Sequence, residues 1–315
     1  MLLEGVALYL LLLVGGVVAL YAGAELLVAG ARRLALGLGL RAATVGVTIV
    51  ALATTAPELF VSIIGALEVS TDIGLGAIVG SNVANIGLVL GVSALISPLT
   101  ISGTTMRRHV PFMVLAAVLL PILGLDGRIG RLEGLLFLLV LAGFTAYLLY
   151  YLGSDPAPAV DDPDAGAGIA ARDVVFVIGG LLTLVLGSRW LISGGRGVLS
   201  AMGFSDLFIG LTVLALGTSL PELAASVVGA IRGHAEFSVG NVVGSNIYNV
   251  LAVLGVVALI APISISTSTL RFELPAMVAF TLGLVAMMAT GDRLTRIDGA
   301  ILVVGYGAFV YLLFP

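Results

Sequence analysis

The chain contains no cysteine and no lysine; all 14 of its basic residues are arginine. Without cysteine, disulfide frameworks and thiolate metal sites are excluded. Charge is also scarce: only 10% of the 315 residues are charged, while 60% are hydrophobic. A soluble domain of this length needs far more charge to cover its surface. The net charge of −4 and a pI near 5.1 give no basis for nucleic-acid binding. The two histidines, His109 and His234, lack the spacing of a zinc site.

Long apolar runs take the place of charge, among them Val6 to Leu20, Val110 to Leu123 and Gly134 to Tyr151. Runs approaching the thickness of the bilayer core read as membrane-spanning helices. The first run lacks the basic start and small-residue cleavage site of a signal peptide, so it is expected to be a span.

One internal repeat dominates the chain, at an offset of 164 residues. Gly46-Val-Thr-Ile-Val-Ala-Leu-Ala-Thr-Thr-Ala-Pro-Glu58 matches Gly210-Leu-Thr-Val-Leu-Ala-Leu-Gly-Thr-Ser-Leu-Pro-Glu222. Gly80-Ser-Asn-Val-Ala-Asn85 matches Gly244-Ser-Asn-Ile-Tyr-Asn249, and the register extends to Gly23 with Gly187, Pro98 with Pro262 and Pro111 with Pro275. A single offset held over this length implies duplication. Spans are expected to start near residues 5, 43, 73, 110 and 133, and again near 173, 207, 237, 273 and 297. The expected fold is therefore an all-α polytopic membrane protein of ten transmembrane helices. Five spans per copy is an odd number, so the two five-helix repeats must insert inverted relative to one another.

The expected organisation is a first repeat over 1–152, a linker over 153–172 and a second repeat over 173–315. The linker carries Pro, Gly and Asp161, Asp162 and Asp164, and reads as solvated chain, not as a calcium loop. With the termini outside, cytoplasmic loops hold Arg32, Arg33, Arg41, Arg107, Arg108, Arg172, Arg232, Arg293 and Arg296. The outer loops then hold Arg128, Arg131, Arg196 and Arg271. The positive-inside rule favours that orientation, with a cytoplasmic linker and a plasma-membrane location.

Two acids interrupt the apolar spans: Glu58 and Glu222. An ionisable group at membrane depth costs at least about 3 kcal/mol on insertion scales, and it is tolerated where it faces a bundle interior. Thr54, Thr55 and Pro57 precede Glu58; Thr218, Ser219 and Pro221 precede Glu222. Proline disturbs the helical ladder behind it, and the expected kink frees carbonyls including those of Ala51 and Ala215. Carboxylates, hydroxyls and carbonyls are hard oxygen ligands suited to Ca²⁺, Na⁺ or Mg²⁺. Ser81 and Asn85, with Ser245 and Asn249, add a second polar cluster at helical i,i+4 spacing. Asn82 and Asn246 lie off that face and rank lower as ligands. Glu25 and Arg189 occupy equivalent positions with no assigned role, and His109 is expected at the cytoplasmic edge.

These paired motifs resemble the two alpha repeats of the cation/calcium exchanger superfamily, most closely its prokaryotic sodium/calcium exchanger branch. The resemblance covers nearly the whole chain. It implies ion ligands from Glu58, Glu222, Thr54, Thr55, Thr218, Ser219, Ala51, Ala215, Ser81, Asn85, Ser245 and Asn249. It also implies four sites in a diamond, one for Ca²⁺ and up to three for Na⁺. Potassium-dependent relatives resemble one another in an acid at the position of Asn249, so the asparagine argues against potassium co-transport. The proton/calcium branch has a Gly-Asn-x-x-Glu motif where this chain has proline before each glutamate. The expected function is Na⁺/Ca²⁺ antiport by alternating access, with a proton-coupled antiporter of Ca²⁺ or another divalent cation as the alternative. No enzyme activity, resident cofactor or nucleic-acid partner is expected. The expected partners are Ca²⁺, Na⁺ and the bilayer, with the chain as a monomer.

Overall fold

The computed structural model describes residues 2–38, 40, 42–55, 58–59, 62–63, 71–151, 169–202 and 219–313. Eight helices are long and apolar enough to cross a membrane: α1 (Leu2–Leu38), α3 (Leu75–Ile96), α4 (Thr105–Leu123), α5 (Arg131–Tyr151), α6 (Ala171–Ala201), α8 (Ala235–Ile260), α9 (Thr269–Ala289) and α10 (Arg296–Leu313). Two shorter apolar helices complete the described set, α2 (Ala43–Thr54) and α7 (Leu220–Ile231). Helices satisfy their own backbone groups, which is what an apolar solvent demands of a spanning chain.

The repeat is visible in the geometry as a pattern of exchange. Strand β1 (Leu99–Thr100) pairs antiparallel with β4 (Arg293–Leu294), while β2 (Arg128–Ile129) pairs antiparallel with β3 (Ile263–Ser264). Each short sheet joins one half of the chain to the other, with the roles of the halves swapped. The starts of α4 and α9 also match. Ser102 Oγ accepts the Thr105 N–H at 3.1 Å, and Ser266 Oγ accepts the Thr269 N–H at 3.1 Å.

Several helices contain π-helical turns that propensity does not foretell. They occupy Asn85–Leu90 and Asn249–Leu254, and Thr105–His109 and Thr269–Glu273, each pair at the repeat offset; a further one covers Gly46–Val50. The turns at 105 and 269 lie just before Pro111 and Pro275. Proline there has no N–H to donate and crowds the carbonyl four residues back, and the wider turn accommodates both.

Helices α1 and α6 run antiparallel in close contact through glycines at seven-residue spacing. A Cβ added to Gly23 would lie 2.7 Å from Leu184 N, and one added to Gly187 would lie 2.7 Å from Leu20 N. Gly16 and Gly180 repeat the relation, at 2.8 Å from Leu191 N and 2.6 Å from Leu27 N. Only glycine permits such an approach of two backbones.

The apolar interior forms two clusters. One unites α3, α4, α5, α8, α9 and α10 around Phe137, Ile86, Val250 and Met277. The other lies between α1, α6, α2 and α7, with Leu27, Leu184, Val50 and Ala225. Helix α7 straddles the boundary: Leu223 packs on the first cluster, and Leu220, Ala224 and Ala225 on the second.

His109, expected at the cytoplasmic edge, is 1% exposed at the end of its π turn and so packs against protein. It lines a small cavity with Thr44, Arg108 and Leu148.

Candidate cation site

Glu58 and Glu222 are both buried, at 4% and 1% exposure. They lie close enough for their charges to interact, and the Thr54 side chain faces the Glu222 carboxylate. The ion pairs Glu25–Arg232, Arg33–Asp173 and Arg172–Asp173 involve neither glutamate. Two buried carboxylates without a counter-charge are costly, and a cation between them removes the cost.

Glu222 stands in the first turn of α7, with Pro221 at a position where its missing N–H costs nothing. Ser219 occupies the N-cap yet makes no capping hydrogen bond, so its hydroxyl remains available. In the first half, α2 ends at Thr54 and Thr55 follows in a turn.

The oxygen atoms tell the most. Seven buried side-chain oxygens on the repeated motifs have no hydrogen-bond partner: Thr55 Oγ1, Glu58 Oε2, Asn85 Oδ1, Ser219 Oγ, Glu222 Oε2, Ser245 Oγ and Asn249 Oδ1. Buried polar atoms are normally paired, so a group of this size calls for an explanation. All seven belong to residues that the repeated motifs single out. Ser81 is buried as well. Thr218 and Ala215 lie outside the described residues.

One sequence expectation needs correction. The Ala51 carbonyl is not freed: it accepts the Thr55 N–H at 3.0 Å and the Thr54 hydroxyl at 3.3 Å. The helix simply ends one turn later than the proline argument placed its disruption. Asn82 and Asn246, ranked lower as ion ligands, bond from one half of the chain to the other. Asn249 Nδ2 donates to Asn82 Oδ1 at 3.1 Å, and Asn85 Nδ2 donates to Asn246 Oδ1 at 3.1 Å. Face counting on one helix does not show this bonding, because their partners belong to the other repeat. Their recurrence at the repeat offset was the available signal.

Among the described residues, no group of three or more His, Asp or Glu side chains gathers to hold a metal. The site therefore has two acids and otherwise neutral oxygens.

Comparison with known proteins decides the family. Residues 8–150 and 173–314 match the sodium/calcium exchanger protein family. The chain belongs to that family. A putative antiporter, CaxA of Alkalimonas amylolytica, is 37% identical over 95% of this chain and 96% of its own length. The sodium/calcium exchanger MaX1 of Methanosarcina acetivorans is 29% identical over 96% of this chain and 98% of its own. A solved structure of the sodium-calcium exchanger NCX_Mj superposes with a TM-score of 0.85 at 28% identity, covering 98% of this chain and 99% of that one. As an exchanger-family member, the chain is a multi-pass membrane transporter of the cation/Ca²⁺ antiporter class. The two repeat motifs lie inside the two matched segments, one in each.

Proposed function

We propose that the chain exchanges Na⁺ for Ca²⁺ across the plasma membrane by alternating access, with Glu58 and Glu222 shared by the competing ions. The observation that carries this reading is the set of seven unpaired buried oxygens on the repeated motifs, two of them on the buried carboxylates of Glu58 and Glu222. Carboxylate, hydroxyl and amide oxygens are hard donors, and their number suits Ca²⁺, which takes six to eight. Thr54, Thr218, Ala215 and Ser81 complete the proposed ligand set through the repeat and the family resemblance, while the Ala51 carbonyl is already engaged.

The architecture proposed with it is ten spans in two inverted repeats, 1–152 and 173–315, joined by a cytoplasmic linker with both termini outside. The exchange-related strands and glycine contacts support this arrangement. An axis of this kind brings the equivalent residues Glu58 and Glu222 together at the midplane. Helices α1 and α6 form the element that moves. They join each other through glycine and meet the remaining helices through a separate apolar cluster, beside α7 and its glutamate.

Proteoliposomes loaded with Na⁺ and diluted into Na⁺-free medium containing ⁴⁵Ca test the coupling. Uptake that follows the Na⁺ gradient and persists with protonophore supports sodium exchange. Uptake driven by a pH gradient in the absence of Na⁺ would replace it with proton coupling, and uptake indifferent to either gradient would indicate a passive pathway.

A further inference from the structure

We infer that Asn82, Asn246 and Met277 are positioning residues that fix which end of the Asn85 and Asn249 amides meets the ion. The inference rests on the proposed cation site. A side-chain amide has a donor end and an acceptor end of nearly equal shape, and only the oxygen end ligates a cation. Something must hold the nitrogen end away.

Two hydrogen-bonded relays do so. In the first, Asn82 Nδ2 donates to Met277 Sδ at 3.5 Å, and Asn249 Nδ2 donates to Asn82 Oδ1 at 3.1 Å. Asn249 Oδ1 is left buried and unpaired. In the second, Asn246 Nδ2 donates to the Asn82 carbonyl at 3.4 Å, and Asn85 Nδ2 donates to Asn246 Oδ1 at 3.1 Å. Asn85 Oδ1 is likewise left unpaired.

Each relay begins on a group that can only accept, a thioether sulfur or a backbone carbonyl. That anchor sets the polarity of every amide after it. Turning Asn82 over would place its oxygen against sulfur and its NH₂ against the NH₂ of Asn249. Turning Asn246 over would set its oxygen against a carbonyl and its NH₂ against that of Asn85. Each relay therefore has one self-consistent orientation, and it ends in a bare oxygen. All four asparagines are at most 3% exposed and Met277 is fully buried, so water does not compete for these bonds.

The two relays share their middle links by the repeat but not their anchors. Met113 is the repeat counterpart of Met277, and Asn246 uses the Asn82 carbonyl in its place. This supplies a matched pair of variants.

The experiment measures Ca²⁺ affinity by titration calorimetry and the melting midpoint of the ion-free protein, both on the full chain in detergent. Asn246→Leu and Asn82→Leu are expected to weaken Ca²⁺ binding roughly 10-fold or more, in the range known for groups that orient metal ligands. Met277→Leu keeps volume and removes the acceptor, and is expected to weaken binding by a smaller factor, with Met113→Leu unchanged. A lowered ion-free midpoint with unaltered Ca²⁺ affinity in the asparagine variants would overturn the inference as a purely structural role. Equal behaviour of Met277→Leu and Met113→Leu would overturn it even if the asparagine variants fail to fold. Glu222→Gln separates the two levels. If it binds Ca²⁺ like the parent, the site itself is wrong; if it loses binding while Asn246→Leu and Asn82→Leu retain it, only the relays are wrong.

Discussion

Asn249 donates its side-chain amide to Asn82 Oδ1 at 3.1 Å, and the bond joins the second half of the chain to the first. It leaves the Asn249 oxygen buried and unpaired, as are Oε2 of Glu58 and of Glu222. Asn249 is thus held as a neutral oxygen donor. An acid at this position would bring a third negative charge into a region that already lacks compensation.

Potassium independence follows from that neutrality. Two carboxylates match one Ca²⁺, and among the described residues no third acid joins them to balance an accompanying K⁺. Replacing K⁺ with choline on both sides of the membrane is expected to leave Na⁺-driven ⁴⁵Ca uptake unchanged. A requirement for K⁺ would contradict the charge count.

Voltage sensitivity tests the stoichiometry that the family resemblance implies. Three Na⁺ exchanged for one Ca²⁺ carry one net charge, worth about 2.3 kcal/mol per 100 mV. With Na⁺ inside the vesicles and Ca²⁺ outside, an inside-positive potential should accelerate Ca²⁺ uptake. An initial rate independent of potential would point to two Na⁺ per Ca²⁺.

The glycine contacts between α1 and α6 make a paired prediction. A Cβ at Gly23 or Gly187 would meet backbone atoms at 2.7 Å, and neither helix can yield locally. Gly23→Ala and Gly187→Ala should each cost about 1–3 kcal/mol, as overpacked sites do, and lower transport. Gly179→Ala, where a Cβ meets no described atom within 4 Å, is the control. Melting curves of the three variants check it.

The ion pair between Arg232 and Glu25 predicts a kinetic effect. The guanidinium forks onto the carboxylate at 2.6–3.1 Å, tying α1 to the turn after α7. Glu25 holds Arg232 firmly protonated. The pair is exposed, so Arg232→Gln should change thermal stability little. It also crosses between α1 and the helices against which α1 is proposed to move. Turnover should therefore change while the half-saturating Ca²⁺ concentration does not. The repeat register places Arg189 at the position of Glu25 and Glu68 at that of Arg232, with both signs exchanged. Unaltered turnover in Arg232→Gln would remove the pair from the transport cycle.

Much of the candidate site was legible in the sequence because duplication writes each proposed ligand twice. Glu58 with Glu222, Asn85 with Asn249 and Thr55 with Ser219 stand at one offset, and six of those residues carry an unpaired buried oxygen. The eight long helices were legible as apolar runs. The π turns were not, because their register is chosen by packing and by the prolines that follow, not by local propensity. The Ala51 carbonyl and the roles of Asn82 and Asn246 were also hidden. Each depends on a partner settled in three dimensions: the Thr54 hydroxyl for the first, and asparagines about 160 residues away for the others.

The most direct test of the shared site is Na⁺-gradient-driven ⁴⁵Ca uptake into proteoliposomes carrying Glu58→Gln or Glu222→Gln. Each substitution keeps the side-chain size and removes one of the two charges. Uptake should fall to the level of protein-free vesicles in both variants, with the protein still folded and inserted. Uptake near that of the unsubstituted chain in either one would contradict the assignment of Glu58 and Glu222 as the shared cation ligands.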